Sequence, residues 1–119
     1  MIGYLIDPFE LQVTQVTLGN DYKEIYGFIR CEIFTTVEVN KFGDTIFVDD
    51  EGLYVENQLF FIHTGYPYQP LAGRGLLLGC NLETGESQSP VVSLEQTIKQ
   101  VSFLTPYQVR LWLNDHPDA

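Results

Sequence analysis

The sequence is short of basic residues, cysteines and long hydrophobic runs. Six Lys and Arg stand against 16 Asp and Glu in 119 residues, which gives a formal net charge of −10. Proteins that bind nucleic acid directly neutralise its phosphates with clustered Lys and Arg, so this shortage argues against a direct nucleic-acid binder. A cationic partner or a metal ion suits the charge better.

The same absences bear on compartment and redox state. No stretch approaches the roughly 18 apolar residues of a membrane span, and the first residues lack the basic leader of a signal peptide. We therefore expect a cytoplasmic protein. Cys31 and Cys80 lie far apart without a CxxC motif, which disfavours a disulfide framework and a structural zinc site. We expect both to be buried free thiols.

The chain does have enough apolar residues to fold. Hydrophobic residues make up 45% of it and charged residues only 18%, so the acidity is not that of a disordered polyanion. The length predicts one domain, in which residues 1–104 form an α+β core and residues 105–119 add a C-terminal helix and tail.

The hydrophobic patterns predict an α+β fold with a mainly antiparallel sheet, one early helix and two C-terminal helices. The early helix begins at a cap on Asn20 or Asp21 and runs to about Arg30. The segment 65–75, GYPYQPLAGRG, contains three glycines and two prolines and predicts a long ordered loop. The predicted strands are 2–7, 11–18, 32–40, 45–48, 53–55, 59–63 and 76–80.

Two capping boxes predict the late helices. Ser93 precedes the first, whose apolar positions include Val101, and Thr105 precedes the second, with proline at its first position. We expect His116–Ala119 to be a frayed tail. In the last helix, Leu111, Trp112 and Leu113 cover more than one face, so they either pack on the sheet or form a homodimer contact.

The negative charge is concentrated in the first half. Residues 1–60 hold eleven acids and three bases, a net charge of −8, whereas residues 61–119 have a net charge of −2. Residues 42–73 contain five acids and no base. The predicted acidic surface combines one face of strand 32–40 with the tip of a hairpin, where Asp49, Asp50 and Glu51 join strands 45–48 and 53–55. We expect this surface to bind a partner. Its predicted residues are Glu32, Glu38, Asp44, Asp49, Asp50, Glu51 and Glu56.

The motifs favour neither a metal, a cofactor nor a catalytic centre. The adjacent carboxylates do not alternate as calcium ligands in an EF-hand do, and no sugar cleft supports a glycosidase pair. His63 has no nucleophile motif beside it, although a pairing with Cys31 or Cys80 remains open because such pairs meet in space. Gly73-Arg74-Gly75 precedes a strand, whereas a nucleotide-binding glycine loop follows one. If a small-ligand site exists, its predicted residues are His63, Tyr66, Tyr68 and Arg74.

Several segments together resemble a known family. These are YLIDP, DYKEIY, GDTIFVDDEGL and GYPYQPLAGRGLLLG, within residues 3–104. They are similar to a family of short, uncharacterised, acidic proteins of bacteriophages and bacterial mobile elements. The resemblance implies no activity and no functional residues. It implies a context in which small accessory proteins act on proteins of a bacterial host, including defence systems.

These observations leave three hypotheses. The first is a non-enzymatic accessory protein whose acidic surface binds a basic host protein, inhibiting a nucleic-acid-binding or defence protein by charge mimicry. The second is a small-ligand-binding domain or minor enzyme centred on the Tyr66–Arg74 loop. The third is a structural protein that dimerises through its C-terminal helix.

Overall fold

The computed structural model describes residues 1–118 and contains two antiparallel sheets and three helices. Its elements are β1 (Ile2–Asp7), β2 (Gln12–Thr17), α1 (Lys23–Ile29), β3 (Phe34–Glu38), β4 (Thr45–Asp49), β5 (Phe60–His63), β6 (Tyr66–Ala72), β7 (Gly75–Cys80), β8 (Ser87–Gln88), α2 (Leu94–Gln100), β9 (Val101–Leu104) and α3 (Pro106–Asp115). The prediction of an α+β fold with mainly antiparallel strands, one early helix and two late helices is confirmed.

The main sheet has the strand order β2-β1-β7-β4-β3, and β8 extends it beside β7. The run GLLLGC places β7 at its centre, because a strand that is apolar on both faces must be covered on both. Leu76 and Leu78 pack against α1 on one face, and Leu77 lies on the other. The small sheet, ordered β6-β5-β9, covers that second face.

The core between the two sheets is centred on Phe61 of β5. Its ring contacts the main sheet at Gly75, where an added Cβ would lie 2.6 Å from Phe61 Cζ. A larger residue at Gly75 would therefore force the Phe61 ring to shift. On the opposite face, Ile25 and Ile29 of α1 pack on Leu76 and its neighbours. The molecule is thus layered as helix, main sheet and small sheet.

Three predicted elements are wrong. The segment expected to be a loop contains β6, since its prolines stand on an edge strand where a missing N–H costs no ladder bond. The expected strand 53–55 is a 3₁₀ turn, Gly52–Tyr54, because β4 pairs with β3 and β7 instead. Val101 begins β9 rather than continuing α2, since Val101–Leu104 pairs with β5.

The predicted capping box of α3 is confirmed. Thr105 Oγ1 accepts the N–H of Gln108, and Gln108 Oε1 accepts the N–H of Thr105. None of the residues of α3 is fully buried, and Leu111 and Leu113 are exposed. In the predicted tail, the His116 ring stacks on Trp112 at 3.9 Å, and Ala119 lies outside the described residues.

Candidate functional site

The pairing of β3 with β4 gathers four of the predicted carboxylates at one end of the main sheet. Phe34 lies opposite Asp49, and the N–H of Asp50 donates to the Ile33 carbonyl at 2.9 Å. Glu32 is therefore brought beside Asp49, Asp50 and Glu51, although about 17 residues separate them along the chain. Asp49 Oδ1 accepts the N–H of Glu51 at 2.9 Å and so turns the chain out of the strand.

Exposed apolar side chains follow these carboxylates directly. Leu53 and Tyr54 are 77% and 86% exposed in the 3₁₀ turn, and Val55 is also exposed. Glu56 comes next and is exposed. We call Glu32 together with residues 49–56 the acidic tip. It combines charge with large apolar groups that the protein does not cover.

Two predicted partner-binding residues lie elsewhere. Glu38 is exposed at the opposite end of β3, four residues from Phe34 and hence about 13 Å along the strand. Asp44 is not on the surface at all: its exposed fraction is 0%. The prediction that Asp44 belongs to an acidic surface is wrong, because its side chain is buried and accepts hydrogen bonds inside the protein.

Asp44 anchors the segment before α2. Its Oδ1 accepts the N–H of Val91 at 2.9 Å, and its Oδ2 accepts the N–H of Val92 at 3.2 Å and Nδ2 of Asn40 at 3.0 Å. A buried carboxylate is stable in a protein when its oxygens are hydrogen-bonded in this way. The backbone N–H groups that it accepts, those of Val91 and Val92, lie 47 and 48 residues away, so no local pattern could have revealed this role.

The structure does not bring His63, Tyr66, Tyr68 and Arg74 into one cavity. His63 is buried in the core, and its Nδ1 accepts the N–H of Gly65 at 2.9 Å. The rings of Tyr66 and Tyr68 pack edge to face at 5.1 Å on β6. Within residues 1–118, His63 Nε2 has no hydrogen-bond partner, and burial lowers the pKa of this imidazole.

Arg74 pairs with a residue that the sequence reasoning missed. Its Nε lies 3.2 Å from Asp7 Oδ2, and its guanidinium stacks over the Phe9 ring at 4.5 Å. Asp7 Oδ1 also accepts the N–H of Phe9 at 2.9 Å, which shapes the β1–β2 turn. The Asp-Pro pair signalled that turn, but not its ion pair. Arg74 and Arg30 line a small cleft of about 80 Å³ with Asp49, behind the acidic tip.

A larger groove adjoins the acidic tip. It has a volume of about 460 Å³ and lies between β3, the small sheet and α3. Leu71, Val109 and Leu113 contribute apolar surface, and Asp49 and Asp50 are lining residues at the end of β4. Its lining includes no Lys, Arg or His. Sequence reasoning missed this groove because β6 was expected to be a loop, and because the expected packing of α3 on the sheet did not specify which strands it would meet.

The cysteines are both free and half-buried. Burial, reinforced by the negative charge of Asp49, raises the pKa of Cys31 to about 11, which keeps the thiol protonated and unreactive at neutral pH. Neither cysteine has His63 as a hydrogen-bond partner among the interactions of residues 1–118.

The described part of the chain has neither a cluster of metal ligands nor a helix that could span a membrane. Between residues 1 and 118, no group of three or more His, Cys, Asp and Glu side chains converges as around a metal ion. Nor does any helix within this range have the length and apolarity needed to cross a membrane.

Comparison with known proteins gives a family but no activity. The sequence model of a family described as a domain of unknown function, DUF3846, matches residues 1–102. The chain belongs to the DUF3846 family. No curated protein and no solved structure matches it. The match confirms the expected resemblance to an uncharacterised family. The match ends within β9, so α3 lies outside the matched segment. This helix forms one wall of the groove of this DUF3846 domain.

Proposed function

We propose that this DUF3846 domain is a non-enzymatic interaction module that binds a basic surface of another protein through its acidic tip. The observation that carries the proposal is the exposure of Leu53 and Tyr54 directly beside Asp50 and Glu51. Large apolar side chains in an uncovered patch are typical of protein interfaces, and the surrounding carboxylates select a partner of opposite charge.

The charge distribution supports a basic partner. The net charge of −10 repels polyanions, and residues 42–73 carry no base that could neutralise their five acids. Arg30 and Arg74 approach the tip only from the cleft behind it, where Arg74 is already paired with Asp7. The outer carboxylates of Asp50 and Glu51 take part in no side-chain hydrogen bond within residues 1–118, so they are available to cations.

The apolar residues refine what kind of partner is expected. A surface that imitates only the charge of DNA needs no large apolar side chains, yet Leu53 and Tyr54 are exposed here. A basic protein surface with apolar side chains among its Lys and Arg would bury both components. We therefore expect part of the affinity to persist at high salt, because apolar contacts are not screened.

A finer version of the proposal concerns biological context. The partner is a nucleic-acid-binding or defence protein in the cytoplasm of a bacterial host, and the domain inhibits it by occupying its basic groove. This version rests on the resemblance of segments such as GDTIFVDDEGL to phage and mobile-element proteins. It adds an inhibitory effect, which can be measured separately from binding.

The decisive experiment compares two charge reversals of equal size. Asp50→Lys with Glu51→Lys alters the acidic tip, whereas Glu83→Lys with Glu86→Lys alters the exposed turn after β7. All four side chains are exposed, so both variants are expected to fold. Capture of proteins from a bacterial lysate is measured at about 0.05 M and about 0.5 M salt, between which screening becomes strong.

The expected result is a basic protein that the wild type and the turn variant capture and the tip variant does not. Capture by the wild type falls at the higher salt but does not vanish. If both variants capture the same proteins as the wild type, the acidic tip is not the binding surface and the proposal is wrong.

A further inference from the structure

Sheet edges are attachment points for extended chains, and one edge of this protein is much less protected than the others. Apart from the two-residue β8, the edge strands in residues 1–118 are β2, β3, β6 and β9. Prolines, lysines, bulges or covering elements normally protect such edges. β6 carries Pro67 and Pro70, α2 packs beside β2, and α2 and α3 pack beside β9. β3, with the sequence FTTVE, has no proline, lysine or bulge.

The backbone groups on the free side of β3 can be identified. The Ile33 carbonyl accepts the N–H of Asp50 at 2.9 Å, and the N–H of Val39 donates to the Asp44 carbonyl at 3.0 Å. Bonding direction alternates along an antiparallel strand, so residues 33, 35, 37 and 39 face β4. The N–H and C=O groups that point to the free edge are therefore those of Phe34, Thr36 and Glu38.

The groove of about 460 Å³ lies beside this strand and includes Thr35, Thr36 and Val37 in its lining. Apolar side chains from β6 and α3 form its far wall, and Asp49 and Asp50 lie at one end. A strand added to β3 would direct alternate side chains into this groove. An apolar residue suits the far wall of the groove, and a basic residue suits the exposed Asp50 at its end.

We infer that β3 receives an extended, basic segment of a partner protein as an additional strand along its free edge. The inference rests on the proposed function and specifies how the partner is held. Main-chain hydrogen bonds to Phe34, Thr36 and Glu38 supply affinity, while the groove and the carboxylates supply selectivity. β3 has five residues and spans about 16 Å, with Glu38 at one end and Asp50 at the other. Basic side chains at both ends of the added strand therefore meet a carboxylate.

A second copy of this chain is a poorer occupant of the same edge. Two β3 strands paired with each other would bring Glu32 and Glu38 of one copy close to the same carboxylates of the other. Like charges placed opposite each other destabilise a strand pair. A partner with Lys or Arg in these positions would be attracted to the carboxylates that repel a second copy.

The test uses amide hydrogen exchange, read residue by residue by NMR, on the full chain. The probe is a synthetic peptide, Lys-Val-Thr-Val-Thr-Val-Lys, and its control replaces both Lys with Glu. When the Lys peptide occupies about nine in ten molecules, exchange of the Thr36 and Glu38 amides should slow about tenfold. The Thr35 and Val37 amides, already bonded to β4, should change little. The Glu peptide should have no effect.

A proline substitution tests the backbone contact directly. Thr36→Pro removes one free-edge donor without removing a bond to β4, and it should abolish protection of Glu38 by the Lys peptide. Gln15→Pro is the matched control, because Gln15 is exposed and its N–H points away from β1, so this substitution also removes no bond to the neighbouring strand. If Thr36→Pro fails to fold, the exchange pattern of the wild type decides, because only strand addition protects the Thr36 and Glu38 amides while leaving Thr35 and Val37 unchanged.

The outcomes separate this inference from the proposed function. Peptide binding that depends on Asp50 but leaves Thr36 and Glu38 unprotected would refute strand addition and leave the acidic tip as the binding surface. Equal binding of the Glu peptide, or no protection at about 1 mM Lys peptide, would also refute strand addition. Protection that rises with protein concentration in the absence of peptide would identify a second copy as the occupant and overturn the inference.

Discussion

Replacing the buried carboxylate of Asp44 should destabilise the fold strongly without affecting partner binding. Asp44→Ala removes the acceptor of the Val91 and Val92 N–H groups and of Asn40 Nδ2. A buried donor left without a partner costs about 1–3 kcal/mol, but water can reach Val91, which is exposed. We therefore expect the free energy of unfolding to fall by about 2–6 kcal/mol, the sum of the two remaining penalties.

The assay is urea denaturation followed by circular dichroism, with Asp50→Ala as the exposed control. The control should change the free energy of unfolding by less than about 0.5 kcal/mol. Asp44→Asn keeps one acceptor oxygen and should lie between Asp44→Ala and the wild type. A loss below about 1 kcal/mol for Asp44→Ala would refute the anchoring role, since a single unsatisfied donor already costs that much.

Four further predictions follow from other buried or exposed groups. Burial lowers the pKa of His63 from its usual value near 6.5. As the pH falls, the imidazole is therefore protonated more readily in the unfolded chain than in the folded one. The free energy of unfolding should be greatest above about pH 6.5 and should decrease below it. Gly75→Ala should cost about 1–3 kcal/mol in urea denaturation, and Phe61→Leu in the same chain should recover part of that loss. Cys31, with a pKa of about 11, should react with iodoacetamide at pH 7 much more slowly in the folded than in the unfolded protein. If α3 forms a homodimer contact, truncation before Thr105 should convert a dimer to a monomer in light scattering.

Each of these has a clear opposing result. A wild type and a His63→Gln variant whose stabilities depend on pH in the same way would exclude the buried imidazole as the cause. Tolerance of Gly75→Ala without loss would mean that the Phe61 ring is not confined there. Fast alkylation of Cys31 in the folded state would contradict its raised pKa. A full-length chain that is monomeric at every concentration would exclude dimerisation through α3.

The elements that sequence reasoning predicted correctly depend on neighbours in the chain. The capping box of α3 joins Thr105 to Gln108, and the apolar run of β7 requires a central strand whatever its neighbours are. Asp50 and Glu51 were predicted at a loop tip and are exposed in the turn after β4. In each case the relevant partner lies within a few residues, so the pattern itself carries the information.

The errors arose where distant pairing overrides local preference. Prolines and glycines in residues 65–75 favoured a loop, but pairing with β5 makes most of them an edge strand. Asp44 looked like its acidic neighbours until its backbone partners at Val91 and Val92 were known. Arg74 was a candidate for a ligand site if one exists, and its ion pair with Asp7, 67 residues away, was not predicted.

The sequence by itself determined the charge, the α+β class and the concentration of carboxylates in the first half of the chain, because composition and short-range periodicity suffice for these. Only the tertiary structure decided which carboxylates share a surface. The β3–β4 register brings Glu32 to Asp49 and Asp50, takes Asp44 into the interior and leaves Glu38 about 13 Å away. The same register leaves one edge of β3 without a partner, since hydrogen bonds between strands depend on which strands meet and not on either strand alone.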